Sequence, residues 1–330
     1  MIIIAVLDQT NPEIIRKWKS IEVALSQAFP TAIKVFLCAQ RGSATEVTAK
    51  EVTAWSTASP VVPLVLLSVG GDDILGECVN GIIQSNQASN KSLFLYPVPF
   101  GCMSNDYWRS LYGGVSPKEF SSTVLVRSIH ALESIMVDVG KYSTSVNGMS
   151  AVAQVNTGYF INVASTGLTG KAAKRLENSS HQGKLSNCWN ILRSASQRTS
   201  YLVRVRVGER DLGTFDSLLV AVCQGKYFGH KLNIAPNAQV NDGMFSVVIL
   251  RNVSLYYLVT GLLRKLKNGS IEADADHVVQ LETNEKVVIE PVSQCHPILV
   301  AGDGERLVGE LPCTFEQSGI KIQMLKHHLT

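Results

Sequence analysis

The chain has 330 residues, 45% of them hydrophobic and 17% charged, with a formal charge of +3. That length permits two well-filled domains, the composition excludes a disordered chain, and so small a charge gives no signal for nucleic acid. Cys38, Cys78, Cys102, Cys188, Cys223, Cys295 and Cys313 are scattered, without a CxxC pair or zinc-ligand spacing to histidine, which predicts buried thiols in a reducing, intracellular compartment.

The first 140 residues alternate between strand and helix patterns. "IIIAVLD" reads as a strand and "NPEIIRKWKSIEVALSQAF" as an amphipathic helix capped by Asn11 with Pro12 at its first position. "AIKVFLCA" is a strand, "SATEVTAKEVTAWS" a helix, and "VVPLVLLSV" a strand too apolar to have a wet face, as in a parallel sheet covered on both sides. "ILGECVNGIIQS" is a helix, "KSLFLYPVP" a strand and "SSTVLVRSIHALESI" a helix. This order predicts a doubly wound α/β domain over 1–139. From "VDVGKYS" onward, short β-rich segments separated by turns predict an antiparallel β-sandwich over 140–330, with helices near 167–177 and 255–267 and a last strand free to return to the first domain. No apolar run reaches the ~18 residues of a membrane span, and "MIIIAVLDQ" lacks the basic flank of a signal peptide. The expected location is the cytoplasm, or the mitochondrion if a presequence has been removed.

The stretch "LLSVGGDDILGECVNG" runs from an apolar strand through a glycine pair into a helix start. Glycine lets backbone approach an anion closely, and unpaired amides with the helix dipole favour negative charge. With its companions in order, the stretch resembles the diacylglycerol kinase catalytic-domain family, which includes bacterial lipid kinases, sphingosine kinases and acylglycerol kinase. The family's GGDGTxxEVxNG is matched by Gly70, Gly71, Asp72, Asp73, Ile74, Glu77, Val79, Asn80 and Gly81. Its P-x-GTxND loop is matched by Pro99, Gly101, Asn105 and Asp106. "VDVGKY", "YFINVASTGLTGKAA", "QGKYFGHKLNIAPNAQVNDGMF" and Asp303-Gly304-Glu305 follow in the family's order.

The resemblance implies ATP-dependent phosphorylation of a lipid hydroxyl: diacylglycerol, an acylglycerol or a sphingoid base. Gly70, Gly71, Asp72, Asp73, Asn80, Gly101, Asn105 and Asp106 would meet ATP. Glu305 would be the general base, with Asp303 in the same motif, and Asp242 with the carbonyls of Gln239 and Met244 would form a structural Mg²⁺ site. Read without the resemblance, Glu305 is a polar turn residue and Asn241-Asp242-Gly243 an ordinary turn.

The departures gather in the nucleotide pocket. Asp73 and Ile74 stand where the family has Gly and Thr, and Cys38 and Cys102 replace hydroxyl donors. "VLDQTNPEII" lacks the family's NPxSG, and a GGG is reduced to Phe228-Gly229-His230. A carboxylate ~4 Å from a phosphate at an effective dielectric near 20 costs about 4 kcal/mol before screening. Two main readings stay open: an active lipid kinase with an atypical loop, whose partners are a lipid and a membrane surface, and a silent member serving as scaffold for protein partners. A related kinase with another acceptor, such as the NAD kinases that share the GGDG loop, matches the second domain less well. The basic clusters Lys171, Lys174, Arg175 and Arg264, Lys265, Lys267 fit solvated helix faces, and the stripe of "SLYYLVTGLLRKL" fits a core.

Overall fold

The computed structural model describes residues 1–29, 33–101, 105–145, 155–177, 200–229, 231–269, 274, 276–292 and 297–328, with a few side chains, Glu305 and Arg306 among them, outside the description. The chain divides into two compact units, Met1–Asp138 with Gly319–Thr330, and Val139–Ser318.

The first unit is built on parallel strands β1 (Ile2–Asp8), β2 (Ile33–Cys38), β3 (Leu64–Gly70) and β4 (Leu93–Pro99), in the order β2-β1-β3-β4. β3 and β4 are buried along their whole length, as the apolar run "VVPLVLLSV" leads one to expect of inner strands. Helices α1 (Pro12–Ala28), α2 (Ser43–Ala58), α3 (Asp72–Gln84), α4 (Asp106–Leu111) and α5 (Ser122–Ala131) follow the strands. Ile14, Trp18, Ile21 and Leu25 of α1, with Leu125 and Ile129 of α5, close over Ala5, Leu7, Leu67, Val69 and Tyr96 on one face of the sheet. α2 and α3 pack on each other and against β1 and β3. Asn11 caps α1 through its side chain, which accepts from the amide of Glu13 at 3.0 Å, and Pro12 opens the helix as anticipated.

Two boundaries differ from the sequence pattern. α3 starts at Asp72, not at Ile74, which draws both aspartates into its first turn. α5 stops at Ala131 because Leu132 turns left-handed at φ 48°, and the apolar residues beyond it enter a strand.

The second unit is β-rich and antiparallel. Its strands are β5 (Ser134–Ser145, shared with the first unit), β6 (Val155–Phe160), β7 (Val163–Gly167), β8 (Tyr201–Val207), β9 (Arg210–Cys223), β10 (Tyr227–Phe228), β11 (Leu232–Asn233), β12 (Phe245–Arg251), β13 (Val278–Thr283), β14 (Val287–Pro291), β15 (Leu299–Gly302) and β16 (Arg306–Leu325). β13-β12-β9-β7-β15-β16 form one run of neighbours, and β8 pairs with both β9 and β14. β8 alternates strictly: Tyr201, Val203, Val205 and Val207 are buried with Phe215, Val222, Ile289 and Phe315, while Arg204 and Arg206 face out to Asp211 and Glu290. A second apolar layer joins Phe228, Ile234, Val248 and Val278 to Leu258 and Leu266. Those two leucines belong to a helical stretch interrupted by a π-helical turn at Leu258–Leu262. Leu258 and Leu266 are core, as the spacing implied, whereas Tyr256 is exposed. β16 crosses the division between the units, and its end re-enters the first as a parallel neighbour of β4, Met324 opposite Leu95. Cys38, Cys78, Cys223 and Cys313 are free and buried; Cys102, Cys188 and Cys295 lie outside the described residues. No helix among the described residues is long and apolar enough to cross a membrane.

Where α2 meets α3 there is no room for a side chain at Gly81: a Cβ would sit 2.6 Å from the carbonyl of Thr45 and from Thr48 Cβ. Gly81→Ala should lower stability by about 1–3 kcal/mol, the usual cost of overpacking, read as a fall in urea midpoint without a change in slope.

Candidate functional site

The parallel strands of the first unit end together at Asp8, Cys38, Gly70 and Pro99. In open α/β sheets this carboxyl edge is where ligands bind. Gly70 is required there by close approach, since a Cβ would lie 3.3 Å from Asp8 Cβ and 3.1 Å from Ile74 Cγ1. Gly71 precedes the first turn of α3 without a side-chain cap, leaving the helix amides to other acceptors.

Asp72 does not face a ligand. Its buried carboxylate accepts the amide of Asp106 at 2.9 Å and that of Tyr107 at 3.3 Å, tying the Gly-Gly turn to the start of α4. The described ends of the second loop are tied to each other and to the first loop. Gly101 N–H donates to the Gly70 carbonyl at 2.7 Å and to Asn105 Oδ1 at 3.2 Å, and Asn105 Nδ2 donates to the Gly101 carbonyl at 2.9 Å, while Cys102 lies outside the described residues. Asp106 is buried and gives its amide to Asp72. Asn80 was expected to meet the nucleotide. It sits eight residues into α3, ~12 Å along the axis from Asp72 at 1.5 Å per residue, and donates to the Gly76 carbonyl at 2.8 Å.

Asp73 stands half-buried in the first turn of α3, its carboxylate near the backbone amides of its own residue and of Ile74, the kind of groups that receive a phosphate oxygen. Its pKa is pushed up to about 6, first by burial and then by the negative charges of Asp8 and Glu77. Ile74 is buried against Gly70, so apolar surface stands where the family's threonine would donate.

Two acids that the sequence did not single out share this edge. Glu77 is buried and caps α2, accepting from Gly42 at 2.9 Å and Ala44 at 3.0 Å. Asp8 accepts the amide of Thr10 at 2.8 Å and its hydroxyl at 2.6 Å. The position of Glu77 in the quoted motif was the available signal, while Asp8 had none.

In the second unit the "DGE" turn lies between β15 and β16. Asp303 is buried and accepts the amides of Ile161, Asn162 and Val163 at 2.7, 2.9 and 3.2 Å, so its oxygens are engaged by the β6–β7 turn. Burial still pushes its pKa up to about 6 against those three donors. Its carboxylate thus anchors the β6–β7 turn. The Glu305 side chain lies outside the described residues, though its backbone completes the turn that Asp303 anchors.

Of the expected metal ligands, Asp242 is exposed, and its Oδ1 accepts the Met244 amide at 2.9 Å across Gly243 at φ 74°, an Asx turn. Gln239 is exposed nearby in sequence, and the expected set of one carboxylate and two carbonyls has the oxygen chemistry of a hard-cation site.

The YegS C-terminal NAD kinase β-sandwich-like domain matches residues 162–326, half of the chain. The chain belongs to the diacylglycerol kinase-like family. The family's lipid-kinase branch supplies the curated relative: a probable lipid kinase YegS-like protein of Shewanella frigidimarina (strain NCIMB 400) is 26% identical over 191 residues, 57% of this chain and 54% of that protein. The chain thus matches about half the length of that relative. A putative diacylglycerol kinase from Bacillus anthracis str. Sterne superposes with TM-score 0.66 at 17% identity, covering 98% of this chain and 96% of that one. Another structure from the same organism gives 0.65 at 18%, with the same coverage. At such identity these structures support the shared fold: an α/β domain followed by an antiparallel β-rich domain. Within this diacylglycerol kinase-like frame, Asp73 and Ile74 are changes in the seat, not in the scaffold.

A carboxylate whose folded pKa lies above its unfolded value favours the native state fully below the unfolded pKa, and the benefit is lost as pH rises through the folded one. For Asp73 that window runs from the ordinary value of 3.8 to about 6. Asp73→Asn should therefore leave stability at pH 4 nearly unchanged and raise it at pH 7. The gain should be about 1–2 kcal/mol, below the ~3 kcal/mol of a two-unit shift because the side chain is partly exposed. Melting temperatures of both proteins at the two pH values provide the check.

Proposed function

We propose that this chain is an ATP-dependent lipid kinase whose phosphate seat is held, in the free protein, by Asp73. The observation that carries the reading is the Asp72 clamp: a chain that had lost the use of its nucleotide loops has no need to keep a buried carboxylate joining them. Family membership and the probable lipid kinase relative support the same assignment.

In the proposed reaction the lipid hydroxyl oxygen attacks the γ-phosphorus of magnesium–ATP, the bond to the bridging oxygen breaks, and ADP leaves with that electron pair. Glu305 would accept the hydroxyl proton, its turn fixed by Asp303. Magnesium enters with the nucleotide as part of the substrate. ATP must move the Asp73 carboxylate off the amides of Asp73 and Ile74 before a phosphate oxygen can take them.

A second reading, a silent member acting as a binding subunit, draws on the same seat. The start of α3 carries the acidic side chain of Asp73, and the Ile74 side chain offers no donor.

Millimolar magnesium–ATP should raise the melting temperature by a few degrees, since a ligand bound only by the native state stabilises it. Asp73→Gly should tighten ATP at least tenfold. Glu305→Gln should abolish transfer from labelled ATP to lipid while keeping the nucleotide-induced shift. No shift in either wild type or Asp73→Gly, with no labelled lipid, would leave the silent reading.

A further inference from the structure

Asn162 closes the β6–β7 turn and is 3% exposed. Its backbone is fully used: the amide donates to Asp303 Oδ1 at 2.9 Å, and the carbonyl accepts from Gln224 at 2.8 Å and Gly225 at 3.1 Å. Its side-chain Nδ2 donates to the Tyr227 carbonyl at 3.1 Å. That bond fixes the orientation of the amide, because turning it over would aim Oδ1 at the carbonyl of Tyr227. Oδ1 is left buried with no donor.

An unmet buried acceptor costs on the order of 1–3 kcal/mol, and one held in place by four other bonds has no freedom to seek a partner. Among the described residues no group supplies the donor, which leaves an ordered water or a ligand to do so. Asn162 hangs from Asp303, and Asp303 stands two residues before Glu305 in one turn. The orphan acceptor is thus anchored to the same turn that carries the proposed base.

We propose that Asn162 Oδ1 accepts a hydrogen bond from a second donor on the lipid headgroup, an O–H or N–H on the carbon next to the reacting hydroxyl. This rests on the lipid-kinase reading and narrows its substrate class. A monoacylglycerol, with its vicinal diol, and a sphingoid base, with an amine beside its terminal hydroxyl, both carry that chemistry. A diacylglycerol carries one hydroxyl and no other donor, so it would leave the acceptor unmet. Asn162 is in this account a specificity residue, and Glu305 alone takes the proton.

The test is binding of three lipids with matched acyl or alkyl chains, a 1-monoacylglycerol, a sphingoid base and a 1,2-diacylglycerol, in mixed detergent micelles, using wild type and Asn162→Leu. One buried hydrogen bond gained predicts about tenfold tighter binding of one or both two-donor lipids than of diacylglycerol by wild type. Which of the two gains identifies the donor as hydroxyl or amine. Asn162→Leu keeps the backbone bonds to Asp303 and should erase the preference by weakening only the two-donor lipids. Equal wild-type affinity for all three overturns the proposal without need of a folded variant, as does a variant that weakens all three alike. Labelled-ATP transfer, measured alongside, separates the two ideas. Preference without transfer removes the kinase reading and keeps this one, and transfer without preference does the reverse.

Discussion

The amides of Asp106 and Tyr107 converge on the buried carboxylate of Asp72, and the rest of the candidate site depends on that contact. It joins the Gly-Gly turn after β3 to the start of α4, alongside the backbone bond from Gly101 to the Gly70 carbonyl. A carboxylate taken out of water is costly unless its lone pairs are met, and backbone N–H groups meet them with short charge-assisted bonds. The same solution recurs at Glu77, which receives Gly42 and Ala44, and at Asp303, which receives three successive amides. Acidic side chains in this protein act as tethers between loops more than as free charges.

That usage explains how the seat at α3 changed its character while the frame stayed. A helix N-terminus with exposed amides attracts whichever anion is nearest. With glycine in the fourth position of the loop, that anion would be a ligand. With Asp73 a carboxylate of the chain itself stands at that helix start, near Asp8 and Glu77 in surroundings that disfavour its charge.

Much of the fold was legible in the sequence because the signals were local. The apolar run of β3 implied a strand buried on both faces, Asn11-Pro12 marked a helix start, and the alternation of β8 set its two faces. Residues 72 and 73 were harder to place: glycine and aspartate suggest a turn, yet α3 begins at Asp72 because the carboxylates stabilise its first turn. Leu132 ended α5 through a left-handed turn for which leucine gives no warning. In the site, motif order found Asp72, Asp73 and Asp303, but spacing could not show that Asp72 and Asp303 face backbone amides or that Asn80 turns back to Gly76. Asp8 and the orphan oxygen of Asn162 became visible only when distant segments met. The Asn241-Asp242-Gly243 sequence was read as a metal turn through the resemblance, and its geometry is that of a plain Asx turn.

The four described thiols have a pharmacological corollary. Cys78, Cys223 and Cys313 are sealed in apolar surroundings that push their acidity far out of reach, and Cys38, beside the carboxyl edge of the sheet, is raised in the same direction by burial and by Glu77 and Asp8. Electrophilic warheads react with thiolates, so at neutral pH acrylamides and chloroacetamides meet no activated sulphur at these four positions. Among the described residues, therefore, this carboxyl edge offers such reagents no activated thiol.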